Sequence, residues 1–472
     1  GLVGFTVFAD KNQTDNYRVN NRLNQENLTT ELTYRGENGP VSLRYSTGRQ
    51  ELRLPGERTE TQLITDRRGA TTPNNYADLT SSRLALSTEQ KMAFGSLAID
   101  VARRERESVS YFDYGGGFYS YGLTKSHANS ISPRVQVPFA IGSTKHALVV
   151  GADWDKWEWR NADPIDVSPP STVATATQTN QALYIRDAID FGQGSSIAVG
   201  VRRHKVSTVA SEDSYGTVND GRQNRTLNVY EVAFRQLVGE ATTYHARFGT
   251  SFRTVTVDEL RTYGSPLRML EPQTSKDIDV GVRQDYERGF VGLSVFQMKI
   301  DNEIHMLGTS GNVNLPPSER RGIETEGQWG ISKAVSLQGN LTLTEAKFRS
   351  GTDGSGVSLA GKDVPLVPGT KAGLALLWKA SEKSSATLRA TYVGAARLDN
   401  DQNNNSPHMR PAYTVTDLVL VHDEGPWRLR FSALNLLDQK YFSYGIEAPA
   451  RQGYNAYPAP GRNFLVTAER RF

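Results

Sequence analysis

The stretch Val335-Ser336-Leu337-Gln338-Gly339-Asn340-Leu341-Thr342-Leu343-Thr344 decides how the rest of the chain is read. Apolar or small residues hold the odd positions and polar residues the even ones. A period of two belongs to a strand, whose side chains alternate between two faces, and not to a helix. The pattern recurs. Tyr244, Ala246, Phe248, Thr250 and Phe252 alternate with His245, Arg247, Gly249, Ser251 and Arg253. Leu28, Thr30, Leu32 and Tyr34 repeat it, as do Ala386, Leu388, Ala390 and Tyr392, and Trp427, Leu429, Phe431 and Ala433. Strands in soluble sheets average about 5–6 residues, whereas membrane-spanning strands need about 9–11. These runs belong with the longer class.

The connections carry a second signal, because short and long ones alternate. Short turns fall at 36–40, 90–95, 140–145, 191–195, 238–241, 287–289, 331–334, 380–384 and 423–426. Long polar loops are expected at 10–25, 52–79, 108–117, 160–178, 208–225, 254–274, 301–320, 349–370, 396–411 and 438–461. Outer-membrane barrels sort their loops in this way, with short periplasmic turns and long external loops. The expected fold is therefore all-β: a transmembrane antiparallel up-and-down barrel with about 20 visible strands. The last strand, 462–472, runs inward and leaves Phe472 at the periplasmic rim, with Phe464, Val466 and Ala468 toward lipid.

Composition agrees with this reading. The 472 residues are 37% hydrophobic, with a mean hydropathy of -0.51. That value suits a barrel, since only every second strand residue meets lipid. Lys+Arg 54 against Asp+Glu 51 gives +3, too balanced for a nucleic-acid surface. No apolar run reaches the length of about 18 residues that a membrane helix needs. The chain has no cysteine, and its seven histidines are scattered without metal-ligand spacing. Catalytic motifs are also missing: no nucleophile elbow, no phosphate loop and no dinucleotide fingerprint. The protein is therefore not expected to be an enzyme.

Ordered motifs in the second half resemble those of the TonB-dependent outer-membrane receptors. They are Leu270-Glu271-Pro272-Gln273-Thr274-Ser275-Lys276, Glu319-Arg320-Arg321-Gly322-Ile323-Glu324-Thr325-Glu326, Val364-Pro365-Leu366-Val367-Pro368 and Asn435-Leu436-Leu437-Asp438-Gln439-Lys440-Tyr441-Phe442. Pro460-Gly461-Arg462-Asn463-Phe464 and the terminal Phe472 complete the series. Asp15-Asn16-Tyr17-Arg18-Val19-Asn20-Asn21 is the best match in the first half. The resemblance implies a plugged barrel of 22 strands, so residues 1–472 are expected to be a barrel domain without its plug and first hairpin. A complete 20-stranded barrel, closing residues 1–8 onto 462–472, is the alternative. The resemblance further implies an outer-membrane receptor that imports a scarce metal chelate, foremost a ferric siderophore. It would use energy from the TonB–ExbB–ExbD complex and touch lipid and lipopolysaccharide. A plugless, porin-like diffusion channel is the other functional class. The loop motifs that mark haem receptors in this family are missing.

Candidate ligand contacts come from two segments. Tyr111, Phe112, Tyr114, Phe118, Tyr119 and Tyr121 surround the glycines 115–117, so their rings could stack on a ligand or serve as an interfacial girdle. Arg67 and Arg68, in a loop of mixed charge, could draw in an anionic chelate or lie on a solvated surface. Trp154, Trp157 and Trp159 are expected to anchor the barrel at the interface. The tract Asp399–Asn405 offers oxygens for Ca²⁺ without the spacing of an EF-hand, so a flexible loop is expected there.

Overall fold

The computed structural model describes residues 2–260, 267–308, 311–448 and 453–472. Twenty strands form one antiparallel sheet, each bonded to its neighbours in chain order from Val3–Thr14 to Asn463–Arg470. The nine short turns lie where the sequence places them, for example between Gly36 and Gly39 and between Gly330 and Val335.

Register shows which face meets lipid. Phe5 lies opposite Leu32, and the row continues through Leu43, Leu86, Val101, Ile131 and Trp154 on successive strands. All seven are exposed, from 76% for Phe5 to 37% for Trp154. Such a belt is costly in water and favourable against acyl chains. The opposite face is polar, and its charges pair across strands. Arg44 Nε meets Glu31 at 2.6 Å, Arg134 meets Asp100 at 2.7 Å, Arg202 meets Asp153 at 2.6 Å, and Arg247 meets Glu231 at 2.8 Å.

Curling of the sheet is shown by its ends. Arg58–Thr59, in the loop after the third strand, joins Phe442–Ala448 and Gly453–Pro458 near the last strand in a small sheet, with Thr59 opposite Asn455. Among the described residues, Val3–Thr14 pairs only with Leu23–Gly36, and Asn463–Arg470 only with Trp427–Leu434. The expected alternative, direct closure of residues 1–8 onto 462–472, is not seen there.

The external side departs from expectation. The expected loops at 108–117 and 208–225 are tall hairpins, whose strands meet at turns of two residues, Gly116–Gly117 and Tyr215–Gly216. The expected loop at 160–178 shrinks to residues 164–171. Strands of the large sheet between Tyr76 and Val238 run 17 to 24 residues, against 8 to 14 for those of the same sheet from Thr242 onward. At about 3.3 Å per residue the longer ones extend well beyond a hydrocarbon band of about 25 Å. Polar alternation on both faces above the membrane reads as loop, but it is equally compatible with a solvated ladder.

The remaining external segments fold on themselves. Leu315, Ala346, Phe348, Leu359 and Val364 form one small core, and Leu63, Leu398, Phe442 and Ala456 form another. A helix, Glu60–Thr65, begins at Thr59, whose hydroxyl accepts from the Gln62 N–H while the Gln62 side chain accepts from the Thr59 N–H. The spacing Thr59-x-x-Gln62 is a capping box legible in the sequence.

Candidate functional site

The barrel interior holds a cavity of about 1320 Å³. Its wall comes from the inward faces of the tall strands, where Arg83, Arg104, Arg106, Trp157, Trp159, Asn161, Gln178, Asn180 and His204 line it. The chain supplies its own cover. Above Gly249, the strand Thr242–Arg253 parts from Thr217–Val238, and the Phe252 ring packs on His204 with centroids 4.9 Å apart. The following segment turns inward. Val255, Val257, Leu260 and Leu270 bury themselves against Trp159, Ala174, Ala176 and Ala210. Gln178 Nε2 donates to Val255 O at 2.7 Å and to Thr208 Oγ1 at 3.2 Å, pinning the segment to the wall. Asn180 links the next polar groups: its Nδ2 donates to Asp155 at 2.7 Å, and its Oδ1 lies 3.1 Å from His204 Nε2.

This places the tryptophans differently from expectation. Trp154 faces lipid, but Trp157 and Trp159 line the cavity, and Trp159 is buried. Trp157 follows Trp154 by three positions, an odd step, so the two lie on opposite faces of the strand Thr144–Asp163. That parity was available in the sequence. What was missing was the inward course of residues 254–260 and 267–270, whose side chains shelter Trp159 from water.

None of the eight residues singled out as ligand contacts lines this cavity. Tyr111, Tyr119 and Tyr121 share the face that carries Val101 and Ile131 lower down, on the outside of the wall. They stack on one another and on Tyr76, with centroids 5.8–5.9 Å apart. Phe112 and Tyr114 border a second cavity, of about 910 Å³, with Arg18, Asn75 and Tyr457. Phe118 is 75% exposed beside the hairpin tip. Arg67 donates to the carbonyl of Tyr441, and Arg68 donates to Tyr17 O at 2.9 Å with its guanidinium 5.4 Å from the Tyr17 ring. These two arginines hold loops together around a cavity of about 740 Å³.

The tract Asp399–Asn405 is an ordered knot, which corrects the expectation of a flexible loop. Asp399 is 6% and Asp401 2% exposed. Asp401 accepts from the Asn405 and Ser406 N–H groups at 3.0 and 3.2 Å and from Arg397 at 3.3 Å. Asp399 lies 3.0 Å from His305 Nε2 and accepts from the Tyr444 hydroxyl. Burial disfavours the His305 imidazolium, but the hydrogen bond and charge of Asp399, with Glu303, outweigh it and raise the histidine above its ordinary value. Burial likewise opposes ionisation of Asp399, yet His305 and Tyr444 hold it below the usual carboxylate range. The two carboxylates are therefore engaged in holding the fold. Among the described residues, no group of three or more His, Cys, Asp or Glu side chains is placed to hold a metal ion.

A family model described as TonB dependent receptor-like, beta-barrel matches residues 4–436. The chain belongs to the TonB-dependent receptor barrel family. It is similar to the ferrioxamine receptor of Yersinia enterocolitica, 20% identical over 355 residues, covering 69% of this chain and 48% of that protein. It is also similar to the catecholate siderophore receptor Fiu of Escherichia coli K12, 22% identical over 206 residues, covering 43% of this chain and 26% of that protein. The chain thus spans about half or less of the curated relatives it matches. Among solved structures it superimposes on unliganded ferric citrate transporter FecA with a TM-score of 0.85 at 18% identity, over 99% of this chain and 73% of that one. The ferric yersiniabactin uptake receptor FyuA of Yersinia pestis gives 0.81 at 15% identity, over 99% and 75%. As a TonB-dependent receptor barrel, the protein resides in the bacterial outer membrane, where its apolar belt faces lipid.

Proposed function

We propose that this barrel belongs to a receptor that binds a ferric siderophore or similar ferric chelate from the external side and imports it with energy from the TonB–ExbB–ExbD complex. The observation that carries the reading is the interior cavity. It opens within a family barrel, is large enough for a chelate, and mixes aromatic with polar walls as a ligand pocket does. Phe112 and Tyr114, bordering the second cavity, would meet the ligand before it reaches Trp157 and Trp159. The matched relatives named for their ligands are receptors or transporters of ferric chelates, which supports this class. We assign no reaction to the protein, and place lipopolysaccharide against the charged outer face of the tall hairpins.

The test is iron uptake by cells carrying or lacking the complete gene, fed a panel of ferric chelates under iron limitation. Uptake that needs the gene and stops when the proton gradient is collapsed supports the proposal. Uptake that survives the collapse, with ion conductance in planar bilayers, would replace it with the diffusion-channel reading.

A further inference from the structure

We propose that Arg83, Arg104 and Arg106 form an anion-binding strip on the cavity wall, which selects ferric chelates carrying peripheral carboxylates; this rests on the transport reading above. The strip comes from two adjacent strands, Tyr76–Met92 and Gly95–Gly115. Arg83 lies directly opposite Arg104, and Arg106, two residues further out on the same face, lies opposite Ser81 and Ser126. Directly opposed residues sit about 5 Å apart and alternate residues about 7 Å apart, so one small anion with several carboxylates could reach all three guanidinium groups.

Three observations point to a ligand and not to ordinary surface charge. First, like charges placed directly opposite one another destabilise a sheet, so the Arg83–Arg104 pairing works against folding and is not explained by it. Second, charges elsewhere on these strands are matched. On the outer face Arg103 Nε donates to Glu105 at 2.8 Å, and Lys125 pairs with Glu107 at 2.9 Å. Lower on the inner face Asp100 is matched by Arg134. Among the described residues, none of Arg83, Arg104 and Arg106 makes an ion pair with a carboxylate. Third, the carboxylates that line the cavity are engaged elsewhere or stand on the cover. Asp10 accepts from Asn27 at 3.0 Å, Asp155 accepts from Asn180 at 2.7 Å and faces Arg104 only through longer-range charge, and Asp258 belongs to the inward segment.

The chemistry narrows the ligand. Guanidinium is always charged and presents a planar fork that matches a carboxylate in two bonds. Ser108, Ser126 and Thr124 line the same wall and add hydroxyl donors. A neutral or cationic chelate would leave the three guanidinium groups balanced only at longer range, Arg83 by Asp100 and Arg104 by Asp155. A polycarboxylate would neutralise them.

The experiment follows the quenching of intrinsic tryptophan fluorescence in the complete gene product, with ferric citrate as the carboxylate probe and ferrioxamine B as the hydroxamate probe. We expect ferric citrate to bind, less tightly as salt rises. Arg104→Gln should weaken it by about tenfold, and the Arg83→Gln/Arg106→Gln pair by more. An Arg→Lys triple variant should keep the salt dependence but lose part of the affinity, which separates charge from fork geometry. Heat-modifiable migration confirms that each variant has folded. Hydroxamate binding with no ferric citrate binding, or ferric citrate binding unchanged in the glutamine variants, would overturn the strip and leave the transport reading intact. If neither probe binds and no ferric chelate is taken up by cells, the transport reading falls and the strip with it.

Discussion

The two halves of the wall solve the external side differently. Between Tyr76 and Val238 the strands simply continue, up to 24 residues in Phe118–Ile141, and the ladder itself builds the structure above the membrane. From Thr242 onward the strands stop at 8 to 14 residues, and separate segments fold into caps. The first solution is local, since each residue is held by its register partner. The second depends on contacts between residues far apart in sequence, such as Asp399 with His305 and Arg67 with Tyr441. A ladder gives a stiff wall with a regular inner face, which suits a binding surface. Caps packed from loops can shift with respect to the wall.

The sharpest way to break this comparison is where the halves meet, at Trp159. Trp159→Ala should cost about 4 kcal/mol of local stability by opening a cavity under Val255, Val257 and Leu270. Hydrogen exchange should then rise in residues 254–260 and 267–272, while the strand Thr144–Asp163 stays protected. Equal loss in both would show that the wall depends on its cover.

Next is Asp401→Ala, which removes the acceptor for two backbone N–H groups and Arg397 in a buried site. A local loss of about 3 kcal/mol is expected. It should appear as proteolytic cutting within 396–411, with the tall hairpins uncut.

A pH series sharpens the same contrast with a smaller effect. His305 is raised, so its contribution is complete below the ordinary imidazole value near pH 6.5 and is lost as pH climbs through the raised value. Asp399 is depressed, so its contribution holds above the ordinary carboxylate value and fades as pH falls through the lowered one. The cap should therefore resist protease best at mildly acidic pH and loosen toward alkaline pH, and His305→Gln should flatten the alkaline limb. An unchanged alkaline limb in that variant would remove the pair from the account.

The smallest effect is expected at the tip of a tall hairpin. Gly116 has φ 64°, and Gly116→Ala should cost about 1 kcal/mol. Faster exchange should stay within residues 111–121. Spread of the effect down the strands would mean that the hairpin is less autonomous than its ladder suggests.

Much of this was legible in the residues. Alternation in 335–344 and its counterparts gave strand type and faces, and the parity of loop lengths gave every strand a direction. Both follow from local geometry, because a strand residue has only two sides and a short turn can only reverse the chain. The capping box at Thr59–Gln62 and the opposite parity of Trp154 and Trp157 were also present as signals. Less was legible above the membrane, where both faces of a strand are wet and Thr208–Arg225 reads alike as loop or ladder.

By itself, then, the sequence determined a membrane barrel of some twenty strands, its inside and outside, and its inward-running last strand. Only the tertiary structure decided that the segment after Arg253 folds into the lumen, that Trp157 and Trp159 face a cavity, and that Asp399–Asn405 is a buried knot. It also decided that Arg67 and Arg68 tie loops while Arg83, Arg104 and Arg106 face inward with no carboxylate ion pair among the described residues. The physical reason is range. Alternation is set by neighbours two residues apart, whereas burial of a loop residue is set by whichever distant segment the barrel's curvature brings over it.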